Sequence, residues 1–374
     1  MKIFLSKNAI NTFSNILFKN SRWIFDKPKL LHQIYNWKIK IPWIKPYYAL
    51  KSNTSEEILQ TLCSSNIGVD AASMNEILLA KKYSNDIIYT NPHTILHEDI
   101  TNLKHTRFKV VDDIGEIDNL KNIKVDILIR LNSCIESANT KFDSKYGCTK
   151  EEAYDIIDYA HLNNLKIRGI SFHIGSGGLH NRKNAYLTAY NYSEPLLYYL
   201  KNIYKEKPIL DIGGGLLYNT DLTETLGWTK NIPYEIIAEP GRYFSEPSYH
   251  LFTQIIAKTK RGIFLDNGIY HELNIYHRDN WNFPLLTHYY DNNKKEFYKI
   301  DKYKDLKIFG PTCDSYDTLN ICTFPKYFKK GDWIFLNNMG SYTSAGSCNF
   351  NGINPASQSY TFYTFGNLKR PLQA

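Results

Sequence analysis

Residues 208–242 read PILDIGGGLLYNTDLTETLGWTKNIPYEIIAEPGR. Two short apolar runs in this stretch, Pro208–Ile212 and Tyr234–Ala238, have strand composition. Each opens into a turn, Gly213-Gly214-Gly215 after the first and Gly241-Arg242 after the second. A strand, a glycine turn, a longer segment and another strand make the βα rhythm.

The same rhythm runs outward from about Pro46 to Gly241. Six more strand candidates precede those two: Tyr47–Leu50, Ile67–Ala71, Asp86–Thr90, Arg107–Val111, Val125–Leu131 and Lys166–His173. Ser73 with Glu76, and Thr149 with Glu152, have the spacing of capping boxes that open helices between strands. Eight such units in about 200 residues predict an α/β fold, a closed (β/α)8 TIM barrel rather than an open doubly wound sheet. After about Phe244 the pattern changes to aromatic-rich alternating runs such as HLFTQIIAKT, GDWIFLNN and SYTFYTF, which predict a second, smaller β domain. The expected division is a barrel over 24–245 and a β domain over 246–374. Pattern alone does not say whether residues 1–23 pack with the β domain.

A chain of 374 residues, 43% hydrophobic and 22% charged, is long enough for one barrel and a smaller unit, and is neither a disordered tail nor a disulfide scaffold. Its formal charge of +8 comes from scattered lysines with no long basic run, so they read as a solvated surface and no nucleic-acid partner is expected. The six cysteines, Cys63, Cys134, Cys148, Cys313, Cys322 and Cys348, include no Cys-x-x-Cys pair, so no metal site is expected and a reducing, cytoplasmic setting is. The apolar start MKIFL is interrupted at Lys7 and Asn8, and nowhere do 18 apolar residues run together, so neither a signal peptide nor a membrane span is expected.

In such a barrel the chemistry gathers at the carboxyl ends of the strands. Lys51, Asp70, Arg130, His173, the glycines 213–215, Glu239 and Arg242 all fall at those ends. A glycine turn there is either a tight strand-to-helix connection or a phosphate cradle, and Ser176 and Arg242 favour the cradle. A lysine facing a carboxylate and a phosphate cradle is what a pyridoxal phosphate Schiff base needs.

The segments PYYALKSN, VDAASMNEI, SFHIGSGG, LDIGGGL, AEPGRYF, GPTCDSYD and NNMGSYTSAGSCNFNG, in this order over about residues 46 to 352, resemble the ornithine decarboxylase family. These are the alanine-racemase-like, fold type III pyridoxal 5′-phosphate decarboxylases of basic amino acids. The resemblance implies a homodimer with shared active sites and a small amino-acid substrate, most readily L-ornithine giving putrescine for polyamine synthesis. Lysine, arginine and diaminopimelate are alternatives, as is a catalytically inactive regulatory homologue.

The resemblance also implies roles. Lys51 would hold the cofactor, Glu239 would face its pyridine nitrogen, and His173 would stack on its ring. Ser176, Gly214, Gly215, Gly241, Arg242 and, from the β domain, Tyr342 would bind the phosphate. Asp70, Glu76 and Arg130 would support them, although the capping box already accounts for Glu76. Cys313 and Asp314 would enter from the partner subunit, the thiol returning a proton to the α carbon and the carboxylate meeting the distal cation. Asp after Cys leans away from diaminopimelate decarboxylase, which carries Cys-Glu. Lys145 and Asp317 resemble a pair that joins the subunits, and Gly340 a close dimer contact.

The specificity segment, here GIYHELNIYHRDNWNFP, departs from the family pattern. Counting without a gap puts Asp279 at the acidic position, and aligning the tyrosine puts His277 there. Asp279 is preferred, as a second substrate-binding carboxylate; Arg278 is unexplained. Relative to the eukaryotic enzymes the chain is short at both ends, with no long tail after NFNG, so tail-dependent degradation is not expected.

Overall fold

The computed structural model describes residues 21–95, 97–132, 145–175, 181–278, 288–291, 293–294, 296–300, 302–356 and 359–361. The chain divides into two compact units, residues 1–31 with 245–374, and residues 32–244. Strand β1 (Arg22–Phe25) belongs to the first unit, where it pairs with β10 (Tyr249–Thr259) and β17 (Ser359–Thr361). That pairing is why the barrel unit begins at His32 and not at residue 24.

The second unit is a closed barrel of eight parallel strands. They are β2 (Ile44–Ala49), β3 (Gly68–Ala71), β4 (Ile87–Tyr89), β5 (Phe108–Val111), β6 (Asp126–Arg130), β7 (Ile167–Ser171), β8 (Ile209–Asp211) and β9 (Glu235–Ala238). Each strand expected from the sequence is present, trimmed by one to three residues at its ends or, for β2, begun three residues earlier. Tyr47, Ile88, Phe108, Val110, Leu128, Ile209 and Ile237 form a buried cluster that draws on seven positions of six strands, so apolar burial closes the barrel.

Helix starts follow the capping chemistry in part. Thr149 and Glu152 form a full capping box at the helix Lys150–Leu162. At Met74–Ala80 Ser73 accepts from the Glu76 N–H, but the Glu76 carboxylate takes the Ala72 N–H instead of the cap residue's own, at 2.7 Å. Glu76 thereby braces the turn after β3, one residue earlier than a box would.

The first unit holds a mostly antiparallel sheet in the order β13-β12-β16-β10-β11-β14-β15, with β1 on β10. The remaining strands are β11 (Gly262–Leu265), β12 (His288–Asp291), β13 (Glu296–Lys299), β14 (Tyr303–Phe309), β15 (Thr318–Pro325) and β16 (Trp333–Leu336). Phe252 stacks on Trp333 at 5.5 Å in its core. Among the described residues no helix is long and apolar enough to cross a membrane, and no cluster of His, Cys, Asp and Glu could hold a metal ion.

Candidate active site

Lys51 sits in the single helical turn Leu50–Ser52 that follows β2, and its Nζ lies 3.5 Å from Asp70 Oδ2 on β3. The carboxylate of Asp70 is fully buried, and its other oxygen accepts the Thr90 hydroxyl at 2.5 Å from the end of β4. Burial raises the Asp70 pKa to about 6 against the pull of Lys51, with Glu239 adding to the rise. Glu76 is likewise raised by burial, and both Asp70 and Lys51 act on it.

Glu239 follows β9, its backbone tied to Gly213 by a 2.8 Å bond. Burial, and after it the charge of Asp211, pushes its pKa up to about 8, while Lys51 and Arg130 oppose the rise. Asp211 ends β8 and is itself raised to about 6 by burial. The two buried acids act on one another, and burial together with the negative charge of Asp211 favours the protonated form of Glu239. Asp211 is fixed by the Gly213 N–H at 2.9 Å and the Ser171 hydroxyl at 3.3 Å.

His173, just beyond β7, accepts the Gly175 N–H on Nδ1 at 2.9 Å. Burial and then the cations Arg130, Lys51 and Arg242 drive its pKa well below the ordinary value, so the imidazole is neutral. The charges of Arg130, Lys51 and Arg242 all act on His173, and those of Lys51 and Arg130 on Glu239. The Gly214 and Gly215 carbonyls accept the Tyr186 hydroxyl at 2.7 Å and the Arg182 guanidinium at 3.1 Å. At Gly214 a Cβ would stand 2.9 Å from His173 Nε2, and Gly215 has φ +104°. This turn therefore requires glycine.

In the β unit, Cys313 is exposed and its N–H donates to Asn351 at 3.0 Å. Asp314 accepts the Tyr270 hydroxyl and the Tyr316 N–H, and these bonds lower its pKa, so it is ionised. Tyr270 is held in place by stacking on Phe350 at 4.2 Å. His277 stacks on Tyr316 at 4.8 Å, beside the Asp314 turn. Tyr342 has left-handed backbone, φ +56°, a conformation that costs a tyrosine about 1–3 kcal/mol and concentrates at functional sites. Ser176 and Asp279 lie outside the described residues, as does the side chain of Arg278.

Two residues expected at a subunit contact have partners inside their own chain. Asp317 is buried and accepts Ile269 N–H at 2.9 Å and Thr312 N–H and hydroxyl at 3.0 and 2.8 Å. A Cβ on Gly340 would lie 1.8 Å from the Ser245 carbonyl. Both residue types are thus explained by local packing. Asp211, Thr90 and Tyr270 were given no role from the sequence. For Asp211 the signal was present: a carboxylate at a strand end, directly before the glycine turn.

The family described as pyridoxal-dependent decarboxylase, pyridoxal binding domain, matches residues 28–246. The chain belongs to it. A chloroplastic ornithine decarboxylase of Nicotiana glauca is 30% identical, over 94% of this chain and 87% of its own length. A probable ornithine decarboxylase of Dictyostelium discoideum is 28% identical, over 91% and 80%. Among solved structures, a lysine/ornithine decarboxylase from Vibrio vulnificus complexed with putrescine superposes with TM-score 0.80 at 26% identity, covering 97% of this chain and all 100% of that one. An arginine decarboxylase of Paramecium bursaria Chlorella virus shares the fold, with TM-score 0.82 at 24% identity over 95% and 100%.

The donor set of this decarboxylase fits pyridoxal phosphate. The cofactor's aldehyde needs an amine, its pyridine nitrogen an acid, its ring a flat uncharged surface, and its phosphate a glycine turn with a guanidinium. Lys51, Glu239, His173, and the turn 213–215 with Arg242 offer groups of those kinds.

The buried acids set a pH dependence. Asp70, Asp211 and Glu239 all hold their protons more tightly folded than unfolded, so they add stability below their ordinary values of 3.8 and 4.5, which is lost as pH rises through about 6 and about 8. Above about pH 6.5, where the lowered His173 and His250 no longer offset it, this loss should lower the melting temperature of the cofactor-free protein up to about pH 8.5, and Glu239→Gln should flatten that fall. A melting temperature that climbs across that window in the parent protein would contradict the raised affinity of buried Glu239 for its proton.

Proposed function

We propose that this chain decarboxylates a basic L-amino acid, L-ornithine before others, to give putrescine, as a cytosolic homodimer with shared active sites. The observation that carries the reading is the Lys51 amine 3.5 Å from the buried Asp70 carboxylate, with buried Glu239 just beyond β9, the strand that pairs with β2. Bound pyridoxal phosphate supplies the electron sink for the pair left when carbon dioxide departs.

The chain's own residues do the rest. Lys51 would hold the cofactor through its aldehyde, and Asp70 orients the amine. Glu239 would face the pyridine nitrogen and keep it protonated, and the neighbouring Asp211 favours the protonated form of Glu239. Neutral His173 would cover the ring without competing for that proton. Ser176, Gly214, Gly215, Gly241, Arg242 and Tyr342 take the phosphate, with Arg130 lending positive charge.

Cys313 delivers a proton to the α carbon, and Asp314 meets the distal ammonium of the substrate, with Asp279 as a second carboxylate. The exposure of Cys313 supports its entry into a partner subunit's site. Ornithine is favoured by the names of the curated relatives, and a short Asp at 314 favours a cationic substrate end over diaminopimelate.

Carbon dioxide release from ornithine, lysine, arginine and diaminopimelate, measured in parallel, tests the reading. The highest kcat/KM is expected on ornithine, and Asp314→Asn should lower it by about tenfold or more, by removing the carboxylate that meets the distal ammonium. A preference for diaminopimelate, or a protein inert on all four with cofactor bound, would overturn it. For the shared site, mixing inactive Lys51→Ala and Cys313→Ala subunits should restore about a quarter of parental activity, since half the dimers carry one intact site. No recovery after proven exchange contradicts sharing.

A further inference from the structure

Lys109 lies on β5, outside the machinery above, and is fully buried. Its Nζ donates to three backbone carbonyls, Asn91 at 2.6 Å, Pro92 at 2.7 Å and Val110 at 2.8 Å. An ammonium has three donors, and all three are used. Glu116 lies 3.8 Å away, and the ring of Tyr89 presents its face at 5.1 Å. Burial lowers the lysine's pKa to about 8 against Glu116 and Asp112, so it remains a cation at neutral pH.

Converging carbonyls and a carboxylate are the ligands that replace the hydration shell of a monovalent metal ion. Glu116 also accepts the Thr94 N–H at 3.1 Å and the Thr94 hydroxyl at 2.9 Å. The pair therefore pins both ends of the loop 91–94 that leaves β4. The residue just before that loop is Thr90, whose hydroxyl holds the Asp70 carboxylate beside Lys51. Asn91 also reaches the Ala72 carbonyl at 3.3 Å, on the turn after β3.

We infer that Lys109 is a built-in monovalent cation, filling a site formed by the carbonyls of Asn91, Pro92 and Val110 and the Glu116 carboxylate, and thereby positions Thr90 and Asp70. The link to Asp70 rests on the active-site reading above; the cation site does not. Lys109 is a positioning residue, acting through the loop. Removing its side chain leaves three carbonyls and a carboxylate around an empty space, a site for potassium.

Hydrogen exchange of peptides covering residues 90–95 tests this, with cofactor-loaded protein in potassium chloride and in tetramethylammonium chloride at equal ionic strength. The parent protein should be indifferent to the salt. Lys109→Ala should exchange about tenfold faster or more in tetramethylammonium and regain most protection in potassium, with turnover following the same salt dependence. The double variant Lys109→Met/Glu116→Gln removes both charges and leaves neither unpaired, so it provides the test if the alanine variant does not fold. It should exchange fast in both salts.

Parental protection in either variant overturns the cation site, as does fast exchange in Lys109→Ala that potassium leaves unchanged. Lost protection with undiminished turnover overturns the link to Asp70. Failure of the decarboxylase reading would show separately, as a parent protein without turnover, while the exchange results stand.

Discussion

Lys51→Ala should lose turnover by about 10^4-fold, the upper end of what one group that moves or holds a proton contributes. Lys51 is half exposed at the barrel mouth, with 42% of its side chain accessible, and its one described ion pair is with Asp70. Truncation removes no core packing but leaves the buried Asp70 carboxylate without this cation, so the melting temperature of the cofactor-free protein should fall modestly at neutral pH. The loss should fall on kcat, because the amine acts on the reacting centre and not on the substrate's distal end. Near-parental turnover in purified Lys51→Ala would remove the lysine from the chemistry.

Glu239→Gln should lower kcat by about 10^2- to 10^3-fold, in the range of a lost charge-stabilising donor. Glutamine keeps the size and can still donate to Asp211, but it cannot pass a proton to a ring nitrogen. Asp211→Asn should show a smaller loss, because it leaves the acid in place and alters only what holds it. The two should also differ in pH profile: the limb governed by the Glu239 proton, raised to about 8 by burial and Asp211, should disappear in Glu239→Gln and move in Asp211→Asn. Equal effects of the two substitutions would contradict the division of labour between them.

Much of this site could be read from the chain, for a physical reason. A parallel barrel repeats one local signal eight times, and each strand end is a fixed address for chemistry, so Lys51, Asp70, Arg130, His173 and Glu239 could be named from position alone. What escaped was whatever depends on neighbours across strands. Asp211 meets Glu239 because β8 pairs with β9, in a register that sets Asp211 opposite Ile237. Thr90 reaches Asp70 because β3 pairs with β4, 20 residues away in sequence.

β1, only RWIF, is placed by β10, more than 220 residues later, and no local pattern encodes that. Lys109 is the opposite lesson. Among 45 basic residues it reads as one more solvated charge, yet its side chain is fully buried. The carbonyls that hold it are backbone atoms, and backbone atoms leave no trace in residue identity.

Borohydride reduction of the cofactor-loaded protein, followed by peptide mass mapping, tests the central claim most directly. The account predicts a single reduced pyridoxyl phosphate adduct, on the peptide containing Lys51, and none in Lys51→Ala. An adduct on a different lysine, or a fully loaded protein that yields none, would contradict it.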